Sequence, residues 1–214
     1  METGDYLALA AGALNTLAIS VLAIAIGMPL GLGLALIRWG KVPGLDAVIA
    51  AAVSLLRATP AVTLVLLVYF ALPTVGLEVP RFTAGVATLA LGTMAYNCEI
   101  WRAVLLAFPS DQLDAARAFG MPRLLRLRLV VLPQIVRAAL PAVVNEMTLL
   151  IKVSPAVAVV GVIEATRAAV RIGATTYNPI PPLMITLVIY IVIVGAFVAA
   201  QRMLERRHKA GPFA

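Results

Sequence analysis

Five charged side chains lie inside long apolar stretches of the sequence, where charge is costly. They are Arg57, Glu99, Arg102, Glu146 and Lys152. A charge near the centre of a bilayer costs about 2.5–3.5 kcal/mol or more, so such residues are usually paired or functional. In a water-lined cavity, a cation could hold a carboxylate group of a ligand and a carboxylate could hold an amino group.

Lys152 is the predicted ligand of a substrate carboxylate, because it follows a long apolar run. Glu99 is the predicted partner of the substrate's amino group. Further polar residues complete the predicted substrate pathway: Asn97, Asn145, Glu146 and Ser154.

Structural roles compete with this hypothesis. Glu99 and Arg102 stand three residues apart on one helical face, where they could form a local ion pair with Arg102 extended toward the membrane interface. Asn145 and Glu146 could instead hydrogen-bond to a neighbouring helix. Arg57 opens an apolar stretch just before a proline, a position that favours the anchoring of a helix end. The sequence leaves both kinds of role open.

Catalytic chemistry has no residues to support it. The sole histidine, His208, lies in a basic tail, no cluster of Cys and His could bind a metal, and no serine has a plausible base. The phosphate-binding motif G-x-x-x-x-G-K-S/T is absent, since Val42 follows the one Gly-Lys pair, Gly40-Lys41. We expect a non-enzymatic chain that itself binds no cofactor or metal.

The elements that must position these residues are transmembrane helices. Hydrophobic residues make up 62% of the 214 residues and charged residues only 13%, whereas a soluble domain carries about 25% charged residues. Apolar segments, each long enough to cross about 30 Å of hydrocarbon as a helix, extend over residues 14–37, 48–72, 83–107, 134–160 and 181–201. The sequence predicts an all-α membrane protein with about five transmembrane helices in a single domain, residues 1–214. The first segment is interpreted as a retained span, because no basic segment precedes it.

Basic residues predict the orientation of these helices. Eleven fall on one side: Arg38, Lys41, Arg117, Arg123, Arg126, Arg128, Arg137, Arg202, Arg206, Arg207 and Lys209. The other side has Arg81, Arg167 and Arg171. By the positive-inside rule, the amino terminus lies outside and the carboxyl terminus is cytoplasmic. The net charge of +7 is then explained without a nucleic-acid partner.

The longest predicted cytoplasmic loop, residues 108–133, has the pattern helix, break, helix. Asp111 could cap a first helix that Gly120 ends, and Pro122 could start the second. In the second helix, apolar residues share one face and arginines occupy the rest. Such a short helix needs a surface to pack on, either lipid headgroups or a groove in a partner protein.

This loop resembles a known family signature. Asp114-Ala115-Ala116, then Gly120, then Leu132-Pro133 is similar to the "EAA" loop in the membrane subunits of ABC importers. Further segments resemble the polar amino acid permeases of that family, in the expected order and spacing: Asn15-Thr16-Leu17, Arg57-Ala58-Thr59-Pro60, Tyr69-Phe70-Ala71-Leu72-Pro73, Ala95-Tyr96-Asn97-Cys98-Glu99-Ile100-Trp101-Arg102, and Leu132-Pro133-Gln134 with Arg137.

The resemblance implies a function. The chain would be the transmembrane subunit of an ATP-driven importer of polar amino acids or similar small zwitterions, with a type I importer fold, in the bacterial cytoplasmic (inner) membrane. It would form half of the translocation pathway, and its partner half would be a second permease, identical or related. Other implied partners are ABC ATPase subunits that bind ATP and Mg²⁺, an extracytoplasmic solute-binding protein and membrane lipid. The match to the coupling helix that docks on the ATPase is carried by Asp114, Ala115, Ala116 and Gly120.

The chain departs from the family pattern at two places. Asp114 replaces the usual Glu, which keeps the charge. Where the family commonly has Lys-Asp-Thr-Ser, this chain has Lys152-Val153-Ser154-Pro155. The missing acid argues against arginine or lysine as the substrate, and Pro155 would break the helix and expose backbone carbonyls.

Two other functional classes remain as alternatives. A stand-alone secondary transporter or channel subunit would need its own carboxylates for a coupling ion. A membrane scaffold would use the basic loop to bind anionic lipid. The sequence also leaves open whether the close-packing face of Gly27 to Gly31, which contains Pro29, serves a dimer or the helix bundle.

Overall fold

The computed structural model describes the backbone of residues 1–209 and the side chains up to residue 200, with those of Arg202 and Met203. Nine α-helices occur in this part of the chain: α1 Thr3–Trp39, α2 Leu45–Ala58, α3 Ala61–Thr74, α4 Arg81–Leu106, α5 Ser110–Ala118, α6 Arg123–Arg126, α7 Leu132–Val153, α8 Ala165–Thr176 and α9 Ile180–Lys209. A π-helical turn, Leu127–Val131, joins α6 to α7, and a 3₁₀ helix, Ser154–Val160, follows α7. The prediction of an all-α protein is confirmed.

Three helical stretches are long and apolar enough to cross a membrane: Thr3–Trp39, Arg123–Val160 and Ile180–Ala200. The bent pair of α2 and α3 brings the number to four if it counts as one span. Helix α4 has the length of a span, but it carries Asn97, Glu99 and Arg102 and is not among these strongly apolar helices.

The prediction of one helix over residues 48–72 is wrong, because α2 and α3 meet at an angle of 111°. Pro60 lacks the N–H group that would continue α2, and its ring disfavours helical backbone at the preceding residue. Thr59 is accordingly extended, with φ −84° and ψ 128°. Because of this break, the amino terminus of α3 lies in the middle of the second apolar segment.

The most extensive contact in the bundle joins α1 to α4. A Cβ atom added at Gly27 would lie 2.6 Å from the carbonyl oxygen of Ala90, and one added at Gly31 would lie 2.8 Å from Cβ of Asn97. Only glycine permits the two backbones to approach so closely. The glycine face that the sequence left unassigned therefore packs within the bundle.

The predicted helix over residues 134–160 changes geometry near its end. The α-helical part stops at Val153, and the 3₁₀ helix carries the chain to Val160. Pro155 cannot donate a hydrogen bond to the preceding turn, as its position in the sequence indicated. The 3₁₀ helix packs on α4, where Val157 occupies the space left by Gly85.

Helix α8 was not predicted from the sequence. Glu164, which is fully buried, caps it by accepting hydrogen bonds from the backbone N–H groups of Thr166 at 2.8 Å and Arg167 at 2.6 Å. The Tyr190 hydroxyl of α9 donates to the same carboxylate at 3.0 Å. The cap fixes α8 against α9, and the buried Ala168 of α8 packs on the first helix of the bundle.

Candidate functional site

A cavity of about 430 Å³ lies between the α2–α3 break, α4 and α7. Most of its lining is apolar, including Leu56, Leu64, Leu89, Leu149, Leu150 and Val153. Two charged residues, Arg57 and Glu146, also line it. The cavity thus places one cation and one anion in an otherwise largely apolar environment.

Arg57 is held beside an aromatic ring. Its guanidinium carbon lies 5.3 Å from the centroid of the Tyr96 ring, a distance at which cation–π attraction operates. The Tyr96 hydroxyl in turn donates to the backbone carbonyl of Arg57 at 3.3 Å. Within the described part of the chain, Arg57 has no salt-bridge partner. Its charge is therefore positioned by an aromatic ring rather than by a salt bridge.

The first turn of α3 lies on the same cavity wall. Thr59, Pro60 and Ala61 line the cavity, and no side chain caps the helix. The first N–H groups of a helix have no acceptor within it, and they carry the positive end of the helix dipole. This wall therefore favours an anion.

Glu146 enters the cavity from α7. It shares one face of the helix with Leu149, Leu150 and Val153, since these residues recur at the helical spacing of three, four and seven positions. Its side chain forms no salt bridge with any described residue. Glu146 supplies a negative charge on the wall that α7 contributes.

Two of the predicted pathway residues lie on α4 outside the cavity lining. Asn97 is buried at the contact with α1 and donates to the backbone carbonyl of Thr93 at 3.0 Å. Glu99 accepts hydrogen bonds from Arg38 and from Arg102, the latter at 3.1 Å. Arg38 also donates to Asp46 of α2 at 2.9 Å. Glu99 thus belongs to an ion cluster that joins α1, α2 and α4.

The remaining predicted pathway residues are also separate from the cavity. Lys152 lines a different cleft, of about 640 Å³, against α9, together with Pro155 and Tyr190. Ser154 is buried and donates to the carbonyl of Ile151 at 2.8 Å. Asn145 is exposed on α7. Of the six predicted pathway residues, the cavity includes Glu146.

The sequence leaves open whether Arg57 anchors a helix end or has a functional role, and it does not indicate that Tyr96 lies beside it. The signal was the proline three residues after Arg57, which ends α2 and turns the chain. Arg57 and Tyr96 are far apart along the chain, and their contact depends on the packing of α2 against α4. The sequence alone therefore does not indicate it.

The predicted coupling loop forms helix α5, a turn and helix α6. The helix starts at Ser110 after Pro109, with Asp111 in its first turn rather than at its cap. Gly120 adopts φ +70°, a left-handed conformation that glycine accepts without strain. Asp114 and Arg117 form an exposed ion pair at 2.6 Å. The predicted pattern of helix, break and helix is confirmed.

The small residues of this loop differ in their exposure. Ala116 is buried, whereas Ala115 is exposed. Next to Gly120, the ring of Phe119 is 88% exposed. The loop therefore presents an exposed aromatic side chain beside the exposed Gly120.

Residues 27–210 match the family described as "Binding-protein-dependent transport system inner membrane component". The chain belongs to this family. The resemblance to membrane subunits of ABC importers is thereby confirmed, and the permease belongs to a family of transport components rather than of enzymes.

Curated relatives of the permease include transporters of several amino-acid compounds. It is 36% identical over 196 residues, 91% of its own length and 90% of the relative's, to the arginine transport system permease protein ArtQ of Bacillus subtilis. It is 31% identical, with coverage of 92% and 90%, to a putative glutamine transport system permease protein GlnP of Rickettsia conorii.

A solved structure shares the fold of the permease. This crystal structure, described as an amino acid ABC transporter with histidines, superposes with a TM-score of 0.84 and 35% identity, over 94% of each chain. The bundle described above is therefore the fold of an ABC importer permease.

Proposed function

We propose that the permease imports polar amino acids or similar small zwitterions, and that it forms half of the translocation pathway. The observation that carries this proposal is the cavity that presents Arg57 and Glu146 from separate walls. An amino acid carries one carboxylate and one ammonium group, and charge-assisted hydrogen bonds to both would fix its orientation. The relatives named for arginine and glutamine transport support the same substrate group.

The energy for import comes from partner subunits that bind ATP and Mg²⁺. The docking surface on the permease is the loop around Asp114, Ala115, Ala116 and Gly120, with exposed Phe119 as its apolar anchor. This assignment is supported by the EAA-like sequence of the loop and by the left-handed turn at Gly120. The basic residues at this end of the bundle favour a cytoplasmic position in the bacterial inner membrane, in contact with lipid.

The complete transporter includes two further kinds of partner. A second permease, identical or related, encloses the other half of the pathway, because one bundle leaves the cavity open on one side. An extracytoplasmic solute-binding protein delivers the substrate to the opposite end from the coupling loop. The family description, which names binding-protein-dependent transport, supports this partner. A stand-alone secondary transporter or channel subunit would need neither the docking loop nor the binding protein.

The proposal is tested by ATP-driven uptake in vesicles that contain the permease, its ATPase and the binding protein. Labelled glutamine should accumulate only when ATP is present. Glu146→Gln should abolish uptake while the complex still assembles, as checked by co-purification of the ATPase. Uptake without ATPase, or unchanged uptake by Glu146→Gln, would contradict the proposal.

A further inference from the structure

We infer that the cavity between α2, α3, α4 and α7 accepts amino acids whose side chain carries no charge. The inference rests on the proposed function and names the substrate class of the same site. It follows from the charges that this chain contributes to the lining, which are one cation and one anion among the described residues.

The cation and the start of α3 form the carboxylate end of the site. Arg57 is adjacent to the break in the chain, and Ala61 opens the helix whose uncapped N–H groups line the same wall. Guanidinium and helix amino terminus both bind carboxylates through N–H donors. Tyr96 holds the guanidinium at this wall through its ring. The α-carboxylate of the substrate therefore binds to the guanidinium of Arg57.

The anion forms the ammonium end. Glu146 lies on the wall contributed by α7 and has no salt-bridge partner among the described residues. A carboxylate without a partner in a partly apolar cavity is stabilised by a bound cation. The α-ammonium of the substrate supplies that cation, so both charges of the lining are used by the groups common to all amino acids.

The rest of the lining determines what the side chain can be. Beyond Glu146, the α7 wall continues with Leu149, Leu150 and Val153, and α4 adds Thr88 and Thr93, whose side chains are almost fully buried. These groups provide apolar contact, but no third charge. Once a second permease closes the cavity, a charged substrate side chain would lose its hydration here without a countercharge. This costs much more than the burial of an amide, hydroxyl or aliphatic group.

The test measures equilibrium binding of labelled amino acids to the purified complex of permease and ATPase. The binding protein is omitted, because it has a selectivity of its own. Glutamine, asparagine and serine are compared with arginine, lysine and glutamate. We expect the charged amino acids to bind at least about tenfold more weakly than glutamine.

A substitution in the lining tests the cause of this selectivity. Val153→Asp places a carboxylate on the side-chain wall and should raise the affinity for arginine relative to glutamine by about tenfold or more. Val153→Asn is the matched control, because it has nearly the same size and polarity without the charge. The control should not gain arginine binding.

Different results separate this inference from the proposed function. Arginine binding as tight as glutamine binding in the unaltered complex would overturn the inference, as would equal arginine affinities for Val153→Asp and Val153→Asn. Failure to bind any of the six amino acids would also overturn it. The transport function would still stand in each case if ATP-driven uptake occurred with the binding protein present, and it would fall if uptake did not occur.

Discussion

Arg38 on α1 donates a hydrogen bond to the carboxylate of Glu99 on α4, 61 residues later in the chain. Glu99 also accepts from Arg102, and Arg38 also donates to Asp46 of α2. The side chain of Arg38 is only 9% exposed. Removal of one member of a partly buried ion pair costs much more folding stability than removal of one member of an exposed pair. The cluster therefore fixes the end of α1 and the start of α2 against α4.

Removal of the shared carboxylate should destabilise the bundle. We expect Glu99→Gln to lower the stability of the purified permease by about 1–3 kcal/mol, because two arginines lose a charged acceptor. Asp114→Asn, which breaks an ion pair whose partners are 61% and 65% exposed, should cost less than about 0.5 kcal/mol. Thermal unfolding in detergent measures both. Equal melting temperatures for the two variants would contradict a structural role for Glu99.

The pair of Glu99 and Arg102 can be tested separately. Glu99→Gln combined with Arg102→Gln should recover only part of the lost stability, because Arg38 would keep Asp46 but still lack Glu99. A double-mutant cycle by thermal unfolding measures the coupling. Full recovery in the double variant would show that Arg38 contributes nothing to the cluster.

The glycine contact between α1 and α4 gives a prediction with an internal control. Gly31→Ala should destabilise the permease by about 1–3 kcal/mol, since the new methyl group would meet the backbone of α4. Gly33→Ala, two residues along the same helix, meets no atom within 4 Å and should be neutral or slightly stabilising. The unfolding temperatures of both variants measure this difference. Destabilisation by Gly33→Ala alone would reverse the assignment of the packed face.

The exposed ring of Phe119 should contribute to ATPase association. We expect Phe119→Ala to weaken co-purification of the ATPase by about tenfold or more, as for an apolar anchor at an interface. The matched control is Tyr177→Ala, which removes another exposed ring, 94% accessible, from the loop after α8. Co-purification should be unchanged in the control. Equal retention of the ATPase by both variants would remove Phe119 from the docking surface.

The two cavities can be distinguished by their cations. Arg57→Met should weaken glutamine binding to the complex by about tenfold or more, whereas Lys152→Met should change it by less than about threefold. The reason is that Lys152 lines the cleft against α9 and Arg57 lines the cavity that contains Glu146. The reverse order of effects would return the carboxylate site to Lys152, as the sequence predicted.

Sequence patterns predicted what depends on local chemistry. The apolar segments, the break at Gly120 and the change of geometry at Pro155 follow from composition, backbone preference and the missing N–H of proline. The bend at Thr59 and Pro60 was open to the same reasoning, but the predominantly apolar composition of residues 48–72 favoured one helix. Helix α8 is short and amphipathic rather than apolar throughout, so it lacks the long apolar run that predicts a transmembrane helix.

The candidate site depended on relationships that no single segment contains. Spacing along α4 indicated the pair of Glu99 and Arg102, but the third partner, Arg38, comes from another helix. Lys152 and Glu146 are six residues apart on α7, and the helix turns them toward different neighbours. Because side-chain direction decides which cavity each one enters, their closeness in sequence did not predict a common site.

The contact of Gly27 and Gly31 with α4 also bears on how the protein is made. During synthesis, α1 leaves the ribosome well before residues 81–106 exist, and its glycines offer no side-chain area with which to hold a temporary neighbour. An 18-residue window of α1 has a mean hydropathy of 2.2, so this helix can reside in lipid alone until then, as independently stable helices do before they associate. Thr16 and Ser20, which are buried in the finished bundle, would meanwhile lack their final surroundings. Nascent chains that stop before α4 should therefore be targets for membrane chaperones and proteases, and the core can close only after half of the polypeptide has been inserted.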